Sequence, residues 1–215
     1  MTESLYSITV RSLYVSSVAS LIAFTFAVIL SLATSRVSKK KAEMILGIFE
    51  ALVGVPTTAV GLLVYMLLFP KGPLGVLRIL YTPYAIISGE FLVALPIAFT
   101  TMFRSIHDAR ESVRELVLSL GCSEKQVTKL LLRELAPVLT SSYLTSFSRA
   151  IGELGVALIV GGGIEGYTNV LTTAIALQTS IGNYEYAIWL GLILISVTIA
   201  LTLILKIIGE YLIWR

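Results

Sequence analysis

The sequence predicts an all-α integral membrane protein of about five transmembrane helices, and three observations carry that reading. Apolar residues make up 56% of the 215 residues and charged residues only 13%. The mean hydropathy is +0.91. The apolar residues fall into five long stretches, 12–34, 45–69, 84–103, 138–160 and 187–208, with no 2-residue alternation. A soluble domain of this size needs far more charge to cover its surface. A bilayer admits only helices or closed barrels, and a helix needs roughly 20 apolar residues to cross about 30 Å of hydrocarbon. The expectation is one transmembrane domain over residues 1–215, with no length left for a second folded unit.

The first stretch, Ser12–Thr34, follows a start without the basic residues or small-residue cleavage site of a signal peptide, so it is expected to persist as a helix. The second, Ile45–Phe69, is interrupted by Gly54-Val55-Pro56-Thr57-Thr58. Proline frees a backbone carbonyl there, and the Thr hydroxyls can supply polar contacts inside the membrane. The segment is therefore either a simple kink or an unwound stretch lining a path. The third, Tyr84–Phe103, contains Pro96, read as a kink, and the acid Glu90; Glu90, like Glu50 in the second stretch, is expected to seek a basic partner.

Basic residues fix the direction. Arg36, Lys39, Lys40 and Lys41 follow the first stretch; Arg104, Arg110, Arg114, Lys125, Lys129 and Arg133 follow the third; Lys206 and Arg215 end the chain. The opposite side holds Arg11, Lys71 and Arg78, so the count is twelve against three, with Arg149 inside a stretch. The positive-inside rule places the first and third loops and the C-terminus in the cytoplasm and the N-terminus outside. Arg11 is a mild objection. The net charge of +3 reflects these loops and gives no reason to expect nucleic acid as a partner.

The loop at 104–137 is the longest polar stretch. Glu111 to Leu120 reads as a short helix with Val113, Leu116, Val117 and Leu120 on one side. Gly121 suits the left-handed end of that helix. Ser123-Glu124-Lys125-Gln126 fits a capping box opening a second helix, from Glu124 to about Ala136, before Pro137. The predicted form is a knuckle of two short helices broken at Gly121.

Glu115-Leu116-Val117-Leu118-Ser119-Leu120-Gly121 resembles the Glu-Ala-Ala-x-x-x-Gly loop of the permeases of ABC importers. The Glu and Gly match at the right spacing. The two alanines are replaced by Leu116 and Val117, and the usual Leu-Pro ending by Arg133-Glu134-Leu135-Ala136-Pro137. The resemblance implies the type I importer permease fold, with a cytoplasmic coupling helix resting in a groove of a separate ATPase. It makes Glu115, Ser119, Gly121, Cys122, Ser123, Glu124 and Gln126 the candidate ATPase-coupling residues. An ordinary amphipathic surface helix is the alternative.

The fourth stretch carries Ser148-Arg149-Ala150-Ile151-Gly152-Glu153-Leu154-Gly155. Arg149 lies about 17 Å of helical rise beyond Val138, near mid-membrane, where a lone charge costs at least about 2.5–3.5 kcal/mol. Four residues on, Glu153 would share its helix face and neutralise it, and Gly152 and Gly155 would let a neighbouring helix approach. The pair either locks helices together or faces a path and sets its charge. Arg-x-x-Gly-Glu-Leu-Gly, then Val160-Gly161-Gly162-Gly163-Ile164, then Val170-Leu171-Thr172-Thr173-Ala174-Ile175 is similar to the permeases for tungstate and related oxyanions, which often carry Asn at the position of Gly163. That resemblance implies a homodimer of permease subunits, two cytoplasmic ATPase subunits, an extracytoplasmic binding protein and an oxyanion solute. It places Pro56, Thr57 and Thr58, with Arg149, Gly152 and Glu153, along the translocation path.

Gly161–Gly163 is expected to end the fourth stretch. The segment from Tyr167 to Tyr186 is either a half-helix at the outer surface or a plain connection. The lone His107 and the single Cys122 carry no evident chemistry. The sequence has no phosphate-binding loop ending in Lys-Ser/Thr, no metal-ligand cluster and no nucleophile–base set. The chain is therefore expected to be non-catalytic and to hold no cofactor of its own, with ATP and Mg bound and ATP hydrolysed by a partner. The expected solute is tungstate first and molybdate second; the rival solutes are sulfate and, behind it, an organic solute or metal chelate. The rival class is an ATPase-independent carrier or channel, although no internal repeat favours it.

Overall fold

The computed structural model of the chain describes residues 3–35, 37–119, 126 and 136–213, and every regular element among them is helical. Helix α1 spans Leu5–Thr34 and starts well before the apolar stretch. Ser4 caps it, its Oγ accepting from the Ser7 N–H at 3.2 Å. Arg11 can sit inside the helix because Glu3 neutralises it at 2.7 Å. The buried face of α1 runs Ser12, Ser16, Ala19, Ala23, Ala27 and Ser31, three or four residues apart. Such small residues let helix backbones approach closely in a membrane.

The second stretch is not one helix. Helix α2, Lys39–Val53, and helix α3, Thr57–Leu68, meet at 97°. Pro56 lacks an N–H and its ring opposes the carbonyl four residues back, so α2 cannot continue through it. The interruption is a near-right-angle turn, and the 12-residue α3 rises only about 18 Å. A single 3-10 turn, Gly75–Leu77, follows.

Helix α4 spans Pro83–Ser119, 37 residues or about 55 Å. Pro96 lies inside it without ending it. The stretch expected to form a separate helix from Glu111 is its direct continuation as far as Ser119, because residues 97–119 contain neither Gly nor Pro to stop it. Gly121, Cys122, Ser123 and Glu124 lie outside the described residues, and Gln126 is helical and exposed.

The fourth stretch is broken as well: helix α5, Ala136–Ile151, and helix α6, Gly155–Gly161, are bent by 57°. Helix α6 ends where expected, with Gly162 at φ +72°, a left-handed conformation open to glycine. Helix α7, Leu171–Ser180, supplies the half-helix alternative for the next segment. The Val170 N–H donates to Thr173 Oγ1 at 2.9 Å at its start. Helix α8 is Tyr184–Ile213.

The apolar part of α4 is the most enclosed, packing on α1, α2, α3, α5 and α6. Val15 and Ala19, Val64 and Leu68, Ala85 and Ile86, and Val156 and Val160 share one core; Ala27, Leu46, Phe99 and Phe103 share another. Helix α8 is almost bare, exposing Ile188, Trp189, Leu192, Ile195, Ile199 and Leu203. So large an apolar surface belongs in lipid or against another chain. Among the described residues, three helices are long and apolar enough to cross a membrane, and the two bent pairs raise the number to five if each is one span.

Candidate functional site

The two helix breaks meet. A Cβ on Gly155 would stand 3.0 Å from both Thr57 Oγ1 and Thr58 Cγ2 and 3.2 Å from the Thr58 amide nitrogen. One turn further into α3, a Cβ on Gly61 would stand 3.1 Å from Val156 Cα and 3.4 Å from the Gly155 carbonyl oxygen. From the other side, Gly89 of α4 gives up its side-chain space to Val156 Cγ1. The first turn of α6 is thus clasped between α3 and α4 at glycines on all three helices. Gly152 has no such role within the chain: it is exposed, and a Cβ there would meet only the Ser148 carbonyl oxygen, at 3.5 Å. Of the two glycines expected to admit a neighbour, Gly155 does so.

Glu153 lies in the turn between α5 and α6, so the expectation that it shares a helix face with Arg149 fails. The pair forms nonetheless, with Arg149 Nη1 2.8 Å from Glu153 Oε2. Two glycines flank Glu153 and loosen the helix there. The other carboxylate oxygen, Oε1, accepts the Val156 N–H at 3.2 Å and so caps α6. The Glu153 carbonyl accepts from Thr172 Oγ1 of α7 at 2.9 Å. One residue therefore ties α5, α6 and α7 together. Glu153 is 2% exposed, while the Arg149 side chain is 34% exposed, so the cation is the member that solvent or solute can reach.

Pro56 and Thr58 are exposed and Thr57 is half-buried. Of the residues expected along a path, Thr57, Thr58 and Glu153 converge on the first turn of α6, and Arg149 joins them through Glu153. Glu115 and Ser119 occupy the last turns of α4. Glu50 finds its basic partner in Arg104, 3.0 Å away and exposed. Glu90 does not. It is 2% exposed, with Ser16 of α1 and Glu153 as polar neighbours, and its Oε2 has no hydrogen-bond partner.

A cluster without a local sequence signature lies at the start of α1. Arg11 Nη1 donates to Glu3 Oε1 and to the Asn169 carbonyl, each at 2.7 Å, while Asn169 Nδ2 donates to Glu3 Oε2 at 3.3 Å. Tyr186 Oη donates to the Glu3 carbonyl at 2.7 Å. Burial alone would raise the Glu3 carboxyl. Hydrogen bonds from Arg11, the Gly166 N–H and Asn169, with the charge of Arg11, outweigh it and hold Glu3 below its usual value. Arg11, an objection to the orientation when read from sequence, is a clamp between α1 and the segment leading into α7.

Residues 13–215 match the family described as "Binding-protein-dependent transport system inner membrane component". The chain belongs to this family. The permease is 34% identical over 200 residues to the tungstate uptake system permease protein TupB of Peptoclostridium acidaminophilum, covering 93% of this chain and 88% of that one. It is 32% identical over 200 residues to a probable anion ABC transporter permease of Haloferax volcanii, covering 91% and 86%. It is 36% identical over 157 residues to the TupB of Campylobacter jejuni, covering 73% and 66%. Family membership bears out the resemblance read from the residues and the all-α membrane architecture. The permease is a multi-pass membrane protein.

Proposed function

We propose that this permease imports tungstate, with molybdate as the nearest substitute, as a homodimer driven by two cytoplasmic ATPases and supplied by an extracytoplasmic binding protein. The observation that carries the solute is the 34% identity over 200 residues to a tungstate uptake permease. A probable sulfate permease of Prototheca wickerhamii matches at only 25% over 53% of the chain, so sulfate ranks below. The N-terminus is outside and the C-terminus inside, following the excess of basic residues.

The proposed mechanism is alternating access. ATP and Mg sit in the partner ATPases, which draw the loops around Gly121 together, with Glu115, Ser119, Cys122, Ser123, Glu124 and Gln126 at the contact. Because α4 is unbroken from Ser119 back to Pro83, a displacement at its cytoplasmic end reaches Gly89 and, through Val156, the first turn of α6. The breaks at Pro56 and at Gly152–Leu154 are where the path residues shift. Thr57 and Thr58 open α3, and their amides and hydroxyls are suited to oxyanion oxygens passing the helix N-terminus. Arg149 adds positive charge that Glu153 largely cancels, so the anion is passed on rather than held. Selectivity then rests mainly with the binding protein.

The test is reconstitution of the permease with its ATPase and binding protein in liposomes, measuring anion-stimulated ATP hydrolysis and uptake. Tungstate should stimulate both well above sulfate. Equal or greater stimulation by sulfate would overturn the solute assignment. Failure of any ATPase to co-purify, together with unchanged transport in Gly121→Pro, would overturn the coupling.

A further inference from the structure

A cavity of about 750 Å³ opens where α3 ends and α4 begins, lined by Tyr65, Phe69, Val76, Arg78, Leu80 and Tyr81 among others. Its volume falls within the roughly 300–1,000 Å³ of small-ligand sites. The connecting segment that forms its rim is tightly wound. The Gly72 N–H donates to the Phe69 carbonyl at 2.7 Å, the Leu74 N–H to the Leu67 carbonyl at 2.9 Å and the Arg78 N–H to the Gly75 carbonyl at 3.1 Å. Two non-glycine residues, Arg78 at φ 50° and Tyr81 at φ 60°, stand in the left-handed region, and both face the cavity. Such backbone costs about 1 kcal/mol or more per residue and persists only where its surroundings hold it.

The chemistry of the lining is amphiphilic. Among the described residues no carboxylate lies within ion-pair distance of Arg78, so its charge is available. Tyr65 and Tyr81 have ring centroids 6.2 Å apart, and Leu68, Val76 and Leu80 supply aliphatic walls. The site stands at the ends of two apolar helices, at the level where tyrosines mark the boundary between hydrocarbon and water. The segment also exposes Leu74, Val76 (89%) and Leu77, apolar residues that suit contact with a bilayer surface rather than with water.

We propose that this cavity binds an anionic phospholipid, its phosphate on Arg78 beside the paired Tyr65 and Tyr81 rings and the first part of an acyl chain along Leu68, Val76 and Leu80. The single cation suits one phosphate, and the predominantly apolar wall suits an attached chain better than a free inorganic anion. The site is separate from the crossing at Gly155 and does not depend on which solute is carried.

The test is native mass spectrometry of the purified transporter titrated with phosphatidylglycerol, with phosphatidylcholine as the zwitterionic control. Arg78→Asn removes the charge while keeping a residue tolerant of the left-handed backbone, and Arg78→Lys keeps the charge. Phosphatidylglycerol retention should fall about tenfold in Arg78→Asn, the factor that about 1.4 kcal/mol of charge-assisted hydrogen bonding provides, and recover in Arg78→Lys. Equal retention by wild type and Arg78→Asn would overturn the proposal. So would displacement of the lipid by inorganic phosphate or tungstate, which would make this a free-oxyanion site. Loss of binding-protein-stimulated transport in Arg78→Asn with lipid retention unchanged would make it a protein-docking surface instead.

Discussion

Replacing Glu153 by Gln separates the two roles open to the charged pair. The substitution keeps the side-chain length and an oxygen to cap α6 at the Val156 N–H but removes the negative charge 2.8 Å from Arg149. Breaking a fully buried pair by removing one partner costs about 3–5 kcal/mol. The Arg149 side chain is 34% exposed, and that screening lowers the expected loss to about 2 kcal/mol. For a chain of this size the melting temperature should fall by about 4–8 °C, measured by thermal unfolding of the purified transporter in detergent. The double variant Arg149→Gln/Glu153→Gln should recover more than half of the loss, because neither charge is then orphaned. If Arg149 also faces the path, freeing it in Glu153→Gln should make the permease hold tungstate more tightly and release it more slowly, so uptake falls while anion affinity rises. A melting temperature within about 1 °C of wild type would refute the argument that Glu153 organises the turn. Lost stability with unchanged anion affinity and uptake per folded molecule would leave the pair a packing device and remove Arg149 from the path.

Gly89→Ala should destabilise the permease by about 1–3 kcal/mol, because the added carbon meets Val156, which is fully buried and stiff in its rotamer as a β-branched residue; Gly89→Ala with Val156→Ala should restore most of it in the same unfolding assay. Gly155→Ala should slow ATP-driven uptake more than Gly152→Ala, since only Gly155 is pressed against Thr57 and Thr58, and equal effects in a proteoliposome assay would count against the crossing as the moving part. Thr58→Val preserves the Cγ2 contact with Gly155 and removes the hydroxyl, so it should lower uptake with little change in melting temperature. Glu3 titrates below its usual value of 4.5, so the clamp with Arg11 and Asn169 is complete above about pH 4.5 and is lost as the pH falls through the depressed value; Glu3→Gln should abolish that part of the acid destabilisation, and an unchanged acid limb in thermal unfolding would show that the clamp contributes nothing.

Composition and breaker residues made much of this legible in the sequence. Five apolar stretches, Pro56 in one and the Gly152–Gly155 segment in another, mark where helices run and where they fail, because a missing N–H or side chain acts within a turn of its own position. The family was legible through Arg149-x-x-Gly152-Glu153-Leu154-Gly155 for the same reason: the motif is local. The continuity of α4 to Ser119 was legible in principle, since residues 97–119 contain no breaker, although the polar side chains there suggested a separate loop.

Tertiary structure alone decided which local features meet. That Thr57 and Thr58 close on Gly155 and that Glu3 and Arg11 reach Asn169 are facts about residues about 100 or more positions apart, which no periodicity encodes. The sequence determined a membrane-embedded, all-helical chain with charges at its ends and two weak points within its spans. The fold determined that the weak points touch, because helix packing brings small residues on distant segments to the same crossing only once the whole bundle is assembled.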